Sequence, residues 1–530
     1  MARPWVLLVV TIAIGCYQPA VPQPQPSTSK AATNVATFSK DGIDVTVTGV
    51  LDTDFGAWHD GNMWIRTTAT ISSWTPATTT SNGAVINGGQ LNPNGITTTQ
   101  GLDGRNPYTA PYLASVTSQN IPTMSVGDVL VIGRSALAPH YGNTTSDRTP
   151  GEWVYGNAQW QLLESVLTIH CVASIPNADA FRPPVNCDSI HRTGYCITQL
   201  LADSTFEDMV TSLPTDIDST DPLFPDLDEL SEHFLGFHGE LREGWACEYT
   251  MPRWRSPGYG PSQTGIVSMA LLVLCSDVAQ PTKVTLAKRL VQRGLDYAGA
   301  WLNGNAIDDG HGYGRKSLII LAGKLLGMQN LEFIDRTLSH LSVPRFPEDN
   351  GGNFFLTIPT NSNFHWWHDA TWTAGWRTGR YQGFSRWPEV DPDLENPPWY
   401  LDPPPFPARY AGTQISYEDH FTGHQLAFPP ESWPRTHWDR PNERHDTLQR
   451  WALNGYFSDH HRCLLGTVLA MRLMDLTTQH GTALDRSMEQ FMEGMSAADD
   501  ALLDYELVNV GWGTGHSYAG GWDVALWNAQ

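Results

Sequence analysis

Lysine is the scarcest charged residue in this chain. Six lysines stand against 26 arginines, and 55 acidic residues bring the formal net charge to −23. So acidic a surface repels nucleic acid and anionic membranes, and no nucleic-acid partner is expected. It also works against acidic polysaccharide, so a site for one needs a local cluster of Arg and His. The arginine excess suits bidentate recognition of carboxylate; genome composition alone produces the same bias. Long apolar runs are missing beyond the N-terminus, and no later stretch is long and apolar enough to span a bilayer. There is no Gly-x-Ser-x-Gly elbow for a serine nucleophile, and there are no sustained heptads or solenoid repeats. Cysteine is sparse. Apart from Cys16 there are Cys171, Cys187, Cys196, Cys247, Cys275 and Cys463. In an exported chain these permit up to three disulfides, Cys187–Cys196 closing the shortest loop, but they do not make a disulfide scaffold. The fold must rest on an ordinary core, for which 530 residues are ample.

The N-terminus opens with a short basic segment, Met1-Ala2-Arg3, and an apolar run from Trp5 to Gly15 too short to cross a bilayer comfortably. It closes with Ala13-Ile14-Gly15-Cys16, which resembles the lipobox of bacterial lipoproteins, with Ala13 in place of the usual Leu. Residues 1–16 read as a lipoprotein-type signal peptide and 17–37 as a flexible tether. The expected location is the outer membrane or cell surface, alternatively the periplasm or the medium. Contact with membrane is expected only through a lipid on Cys16.

Residues 38–175 carry strand signals. Ile43-Asp44-Val45-Thr46-Val47-Thr48 alternates strictly, parts of 63–71 do the same, and Val129-Leu130-Val131-Ile132 follows a Gly-Asp turn. Trp160 to Val172 is a further strand. Residues 176–256 are transitional: Phe181-Arg182-Pro183-Pro184 marks the exit from the β-region, and a helix is expected within Asp226 to Arg242. From 257 to 530 the period is helical. Val284, Ala287, Leu290, Val291, Leu295, Ala298 and Trp301 follow i, i+3, i+4 spacing, with Thr282 as N-cap and Gly304 as stop. Residues 262–276, 316–327 and 463–474 are apolar nearly all round, as helices buried on most sides are. The predicted fold class is multidomain β + α: an N-terminal antiparallel β-sandwich followed by an (α/α) toroid of helical hairpins, with a long aromatic- and His-rich loop at 345–446.

Aromatic and imidazole side chains are concentrated. Residues 363–462 hold nine of 21 Trp, eight of 18 His and nine of 26 Arg, on a stretch broken by prolines at 397–398, 403–405 and 429–430. Aromatics, Arg and His on irregular backbone suit a groove for an extended polar ligand such as a sugar chain; a long loop packed down by its own aromatics has the same composition. Trp366, Trp367 and Trp372 are candidates to stack on sugar, with Arg377 and Tyr313 as further substrate-binding residues. His365 and His368, with His420 and His424 downstream, have a spacing that zinc ligands use. No cofactor is required, and a structural zinc or calcium ion is left open.

Two motifs carry chemistry. Asp308-Asp309-Gly310-His311-Gly312-Tyr313-Gly314-Arg315-Lys316-Ser317 opens a buried helix, whose N-terminus favours an anion, and its glycines let backbone approach a ligand. It departs from a phosphate loop, which needs Gly-Lys-Ser after a strand. A tight helix–helix turn is the plain alternative. Asn454-Gly455-Tyr456-Phe457-Ser458-Asp459-His460-His461-Arg462-Cys463 leads into another buried helix. Asn, Tyr, His and Arg suit proton abstraction beside a carboxylate: Asn454 with Arg462 or Arg315 neutralises the charge, His461 or Tyr456 takes the proton, and Tyr456 can protonate the leaving oxygen. His311 is the next catalytic candidate. A capped helix start with a buried His is the plain alternative. Carboxylate pairs at Glu240/Glu243, Asp308/Asp309 and Glu418/Asp419 are the candidates for glycoside hydrolysis.

A β-region followed by helical hairpins, with Asn454, Tyr456, His461 and Arg462 at a helix start, resembles the polysaccharide lyases with (α/α) toroids, of the alginate- and heparinase-lyase kind. Several of those place the β-domain after the toroid. Phe181-Arg182-Pro183-Pro184, the Gly310–Lys316 motif and His461-Arg462-Cys463 are more closely similar to a group of exported bacterial proteins with no assigned reaction. The resemblance implies an exported enzyme that acts on an anionic or neutral polysaccharide, most concretely a lyase cleaving a uronate-containing glycan by β-elimination. A glycoside hydrolase using an Asp/Glu pair, and a non-catalytic glycan-binding or surface structural protein, are the alternatives.

Overall fold

The structure is a computed structural model. It describes residues 35–49, 53–93 except 82, 100–105, 112, 116–136, 162–177, 180–187, 203–221, 224–237, 252, 260–302, 314–327, 346, 355–357, 414–416, 456–482, 484–485, 488 and 526; at 229, 260–262, 302, 355–357, 414–416 and 456–463 it describes the backbone alone.

The chain begins with a hairpin of β1 (Val35–Lys40) and β2 (Ile43–Thr48). Asp41 and Gly42 both have positive φ, 51° and 75°, the mirror-image turn that matches the twist of paired strands. β2 also pairs antiparallel with β5 (Thr70–Thr75), giving a three-stranded sheet of order β1-β2-β5. A five-stranded sheet is formed by β3 (Phe55–Ala57), β4 (Met63–Arg66), β8 (Gly89–Leu91), β9 (Val129–Ser135) and β10 (Leu163–Val172), in the order β3-β4-β10-β9-β8. β6 (Thr79–Ser81) and β7 (Ala84–Ile86) make a separate small hairpin. The larger sheet is mixed, because β10 runs parallel to β4. Alternation in sequence places residues on faces and says nothing about strand direction.

One apolar cluster draws on both sheets: Ile43, Val45 and Val47 from β2, Ile71 and Trp74 from β5, Met63 and Ile65 from β4, Leu130 and Ile132 from β9, Leu167 and Ile169 from β10. The opposite face of the larger sheet is also buried. Val129 and Val131 of β9, with Leu163 and Val166 of β10, pack against Val185 and Phe237. A register irregularity between Leu163 and Ser165 lets Leu163 and Val166 share that face. Burial on both faces explains the unbroken Val-Leu-Val-Ile run in β9.

The helices are α1 (Asp203–Thr211), α2 (Leu227–His233), α3 (Gly260–Leu274), α4 (Gln280–Leu302), α5 (Arg315–Leu326), α6 (Tyr456–Leu473) and α7 (Thr477–His480). A two-stranded pairing joins β11 (Phe355–Thr357) to β12 (Gln414–Ser416). α4 lies along α5, and α3 along α6. A second core cluster contains apolar residues from α1 to α6, among them Phe206, Leu230, Leu271, Leu290, Ile319 and Leu469. Residues 203–237 therefore belong with the helical core, although their sequence reads as transitional. The expected N-cap Thr282 lies inside α4: its amide and that of Lys283 both donate to the Ala279 carbonyl. Pro281 fits this earlier start, since its fixed φ and missing N–H suit a first helical turn.

Cys171, Cys187 and Cys275 are buried thiols. Cys187 Sγ donates to the Pro184 carbonyl at 3.6 Å; Cys196, Cys247 and the side chain of Cys463 lie outside the described residues. Burial pushes the Cys275 thiol up to about 12, which makes it an inert core group.

Candidate functional site

The start of α5 collects buried charge. Gly314 caps the helix with φ 82°, and a Cβ there would stand 3.0 Å from Thr264 Cγ2 of α3. Arg315 and Lys316 follow, both buried. Lys316 Nζ donates to the His480 carbonyl at 2.5 Å, Ser317 Oγ donates to the Gly314 carbonyl at 2.6 Å, and the Arg315 guanidinium lies 5.9 Å over the Tyr297 ring. Burial, with the Lys316 charge adding to it, pushes the His480 imidazole down to about 3. His480 is therefore neutral at physiological pH. Its Nε2 has no hydrogen-bond partner among the described residues. Two buried cations at the positive end of a helix can hold an anion such as a carboxylate.

The path of α6 fixes what lies near this cluster. α3 and α6 meet at mid-length, where the Ser268 and Thr467 hydroxyl oxygens are 2.6 Å apart. Gly314 packs against Thr264, one turn before Ser268. His480 follows the C-terminal end of α6, whose Leu469, Ala470 and Met471 share the core cluster of α5. The start of α5 thus meets α7, through Lys316 and the His480 carbonyl. With about 1.5 Å of rise per residue, His461 sits about 18 Å along the axis from Leu473 and Tyr456 farther still. Residues 310–313 and 454–455 lie outside the described residues, and the start of α6 is described in its backbone alone.

Tyr456, His461 and Arg462 all lie on the first turns of α6. His311, Tyr313, Trp366, Trp367, Trp372, Arg377, His365, His368 and Asn454 lie outside the described residues, as do Asp308 and Asp309. Among the described residues no group of three or more His, Cys, Asp or Glu side chains could hold a metal ion. None of the described helices is long and apolar enough to cross a membrane.

A second charged cluster sits where sheets and helices meet. Arg182 Nε donates to Asp60 Oδ2 at 2.7 Å; Nη1 and Nη2 donate to Asp296 Oδ1 and Oδ2 at 2.6 and 2.5 Å. The three side chains are 0, 1 and 6% exposed. Burial alone would raise the Asp60 carboxyl, but Arg182, Lys40, His59 and the Asn62 side chain outweigh it and hold Asp60 below the usual carboxylate range. Burial dominates at Asp296 and holds its carboxyl above the usual value despite Arg182. Asp296 and Asp60 together outweigh burial at Arg182, which stays charged. Gln292 brackets the same backbone, accepting from the Arg182 amide at 2.9 Å and donating to its carbonyl at 3.1 Å. Nearby, His59 Nε2 is 3.3 Å from the Lys288 carbonyl of α4, and burial pushes this imidazole down. In sequence, Arg182 reads only as part of a boundary. The legible signal is Asp296, a charge set beside Leu295 in the apolar stripe of α4.

Compared with known proteins, the chain matches no protein-family model, no curated protein and no solved structure.

Proposed function

We propose that the protein is an exported, lipid-anchored enzyme that cleaves a uronate-containing polysaccharide by β-elimination, built as a β-sandwich followed by an (α/α) toroid. The observation that carries this is the concentration of Trp, His and Arg in residues 363–462, which ends in the Asn454–Arg462 motif at the start of α6. In support of the architecture, one core cluster is shared by the two sheets and another by the paired helices.

The chemistry needs two things at one sugar. The proton beside a uronate carboxylate becomes removable when the carboxylate charge is neutralised, the role of Asn454 and Arg462. A base then takes the proton and an acid protonates the leaving oxygen, the roles of His461 and Tyr456. Trp366, Trp367 and Trp372 stack on flanking sugars, with Arg377 beside them. Arg315 is the alternative to Arg462 as neutraliser, His311 is the next catalytic candidate, and Tyr313 is a further substrate-binding residue. The reaction requires no cofactor.

The test is the ultraviolet absorbance of the conjugated double bond that elimination creates, followed while the purified chain is incubated with a panel of anionic polysaccharides. The expected result is a rise that Tyr456→Phe or His461→Ala lowers by about 100-fold or more, the usual contribution of a positioned acid or base. New reducing ends without that absorbance would replace elimination by hydrolysis at Asp308 and Asp309. Polymer retained without any product would replace both by a binding role.

A further inference from the structure

α7 meets the start of α5 through His480, a residue that can change its charge. The His480 carbonyl accepts from Lys316 Nζ at 2.5 Å. The imidazole of the same residue is buried, 2% exposed, and its Nε2 has no hydrogen-bond partner among the described residues. A neutral imidazole carries one N–H and can leave Nε2 as its bare nitrogen. A protonated one carries N–H on both nitrogens. In this place it would bury a charged donor with no acceptor, which costs more than a neutral group left unpaired.

The surroundings give an imidazolium no counter-ion. α5 and α6 are the helices packed against α7. From α5 the charge that acts on the ring is Lys316, a cation, and like charge opposes protonation. At this end of α6 the charge is Arg472, whose Nε donates to Asp485 Oδ1. Asp475, between α6 and α7, is exposed. Among the described residues no carboxylate acts on the ring. The backbone of His480 is engaged on both sides. Its amide donates to the Leu476 carbonyl at 3.0 Å, and its carbonyl holds Lys316. A ring that moves out to water therefore pulls on both bonds.

We propose that α7 is an acid-released clasp, which docks on α5 while His480 is neutral and undocks when His480 takes up one proton. The proton comes from solvent and goes to Nε2. Undocking brings the imidazolium into water and parts the Lys316 ammonium from the His480 carbonyl. The direction of the shift gives the sign. Burial, with Lys316 adding to it, holds the docked imidazole at about 3, below its ordinary 6.5. Such a group stabilises the docked state fully above its ordinary value, and that contribution is lost as pH falls from 6.5 toward 3.

The experiment is hydrogen exchange of the full chain, of His480→Phe and of His480→Gln, from about pH 7.5 to about pH 5, spanning the ordinary histidine value. Exchange is read by mass spectrometry on peptides covering 474–485 and, for comparison, on peptides within α4, each corrected for the intrinsic pH dependence of amide exchange. Relative to the variants, opening of 474–485 in the wild type should rise as pH falls below 6.5, by up to about tenfold per pH unit, the slope of one proton. Peptides of α4 should keep their protection. The other histidines are common to all three chains and cancel in the comparison. Should Phe prove too large for the site, His480→Gln carries the comparison alone. Parallel profiles for the wild type and the variants would overturn the proposal, as would a rise shared equally by α4, which would mean unfolding of the whole core. So would failure of both variants to fold, since a neutral side chain is what the docked state should accept.

Discussion

Arg182 holds a full charge with no exposed surface, so its contribution depends on both aspartates at once. Replacing it with methionine keeps most of the volume and leaves a buried ion without its counter-ion. Arg182→Met should cost about 3–5 kcal/mol, read as a lower urea midpoint with little change in slope. A loss under about 1 kcal/mol, typical of exposed ion pairs, would mean that water reaches the junction. Lys316 and His480 show the same dependence on context. Lys316 reads in sequence as part of a glycine-rich helix start, yet its ammonium is capped by a carbonyl 164 residues away. Contacts of that range leave no local trace, because no short-range pattern requires them.

The pairing of α4 with α5 turns on Gly294. A Cβ there would stand 2.2 Å from the Leu318 carbonyl oxygen and 3.0 Å from Ala322 Cβ. On helix propensity alone Gly294→Ala should stabilise by about 1 kcal/mol. The backbone contact reverses this, and overpacking should give a net loss of about 1–3 kcal/mol, measured by urea unfolding. A gain in stability would show that α4 and α5 separate without cost. Gly299 has the same role toward the segment that carries Arg182, with Pro184 Cβ 2.4 Å from where a Cβ would lie. Helix positions were themselves legible: apolar spacing over 282–302 anticipates α4, and the all-apolar stretches anticipate α3, α5 and the second half of α6. Helix starts were less so. α6 begins at Tyr456, seven residues before the all-apolar stretch, because its first turns carry polar residues without apolar periodicity.

In the whole molecule, the larger sheet serves two cores. One face meets the three-stranded sheet, and the other meets Val185 and Phe237 beside the helices. The strand region therefore should not behave as an independent unit. Residues 35–177 expressed alone would expose Val129, Val131, Leu163 and Val166 and leave Asp60 without Arg182. The fragment should bind an apolar dye and self-associate at concentrations where the full chain does neither, as checked by fluorescence and size-exclusion chromatography. A monomeric, dye-free fragment would show that the second face is dispensable.

The sequence by itself determined that a strand-rich region precedes a helical one, which long helices are buried, and where aromatic, imidazole and guanidinium groups are dense. These are local matters of period, turn chemistry and composition, which neighbouring residues along the chain decide together. Only the tertiary structure decided that β4 and β10 run parallel, that Arg182 is clamped between Asp60 and Asp296, and that Lys316 meets the His480 carbonyl. Each of these depends on the direction in which a distant segment returns, which is settled by packing among residues far apart in the chain.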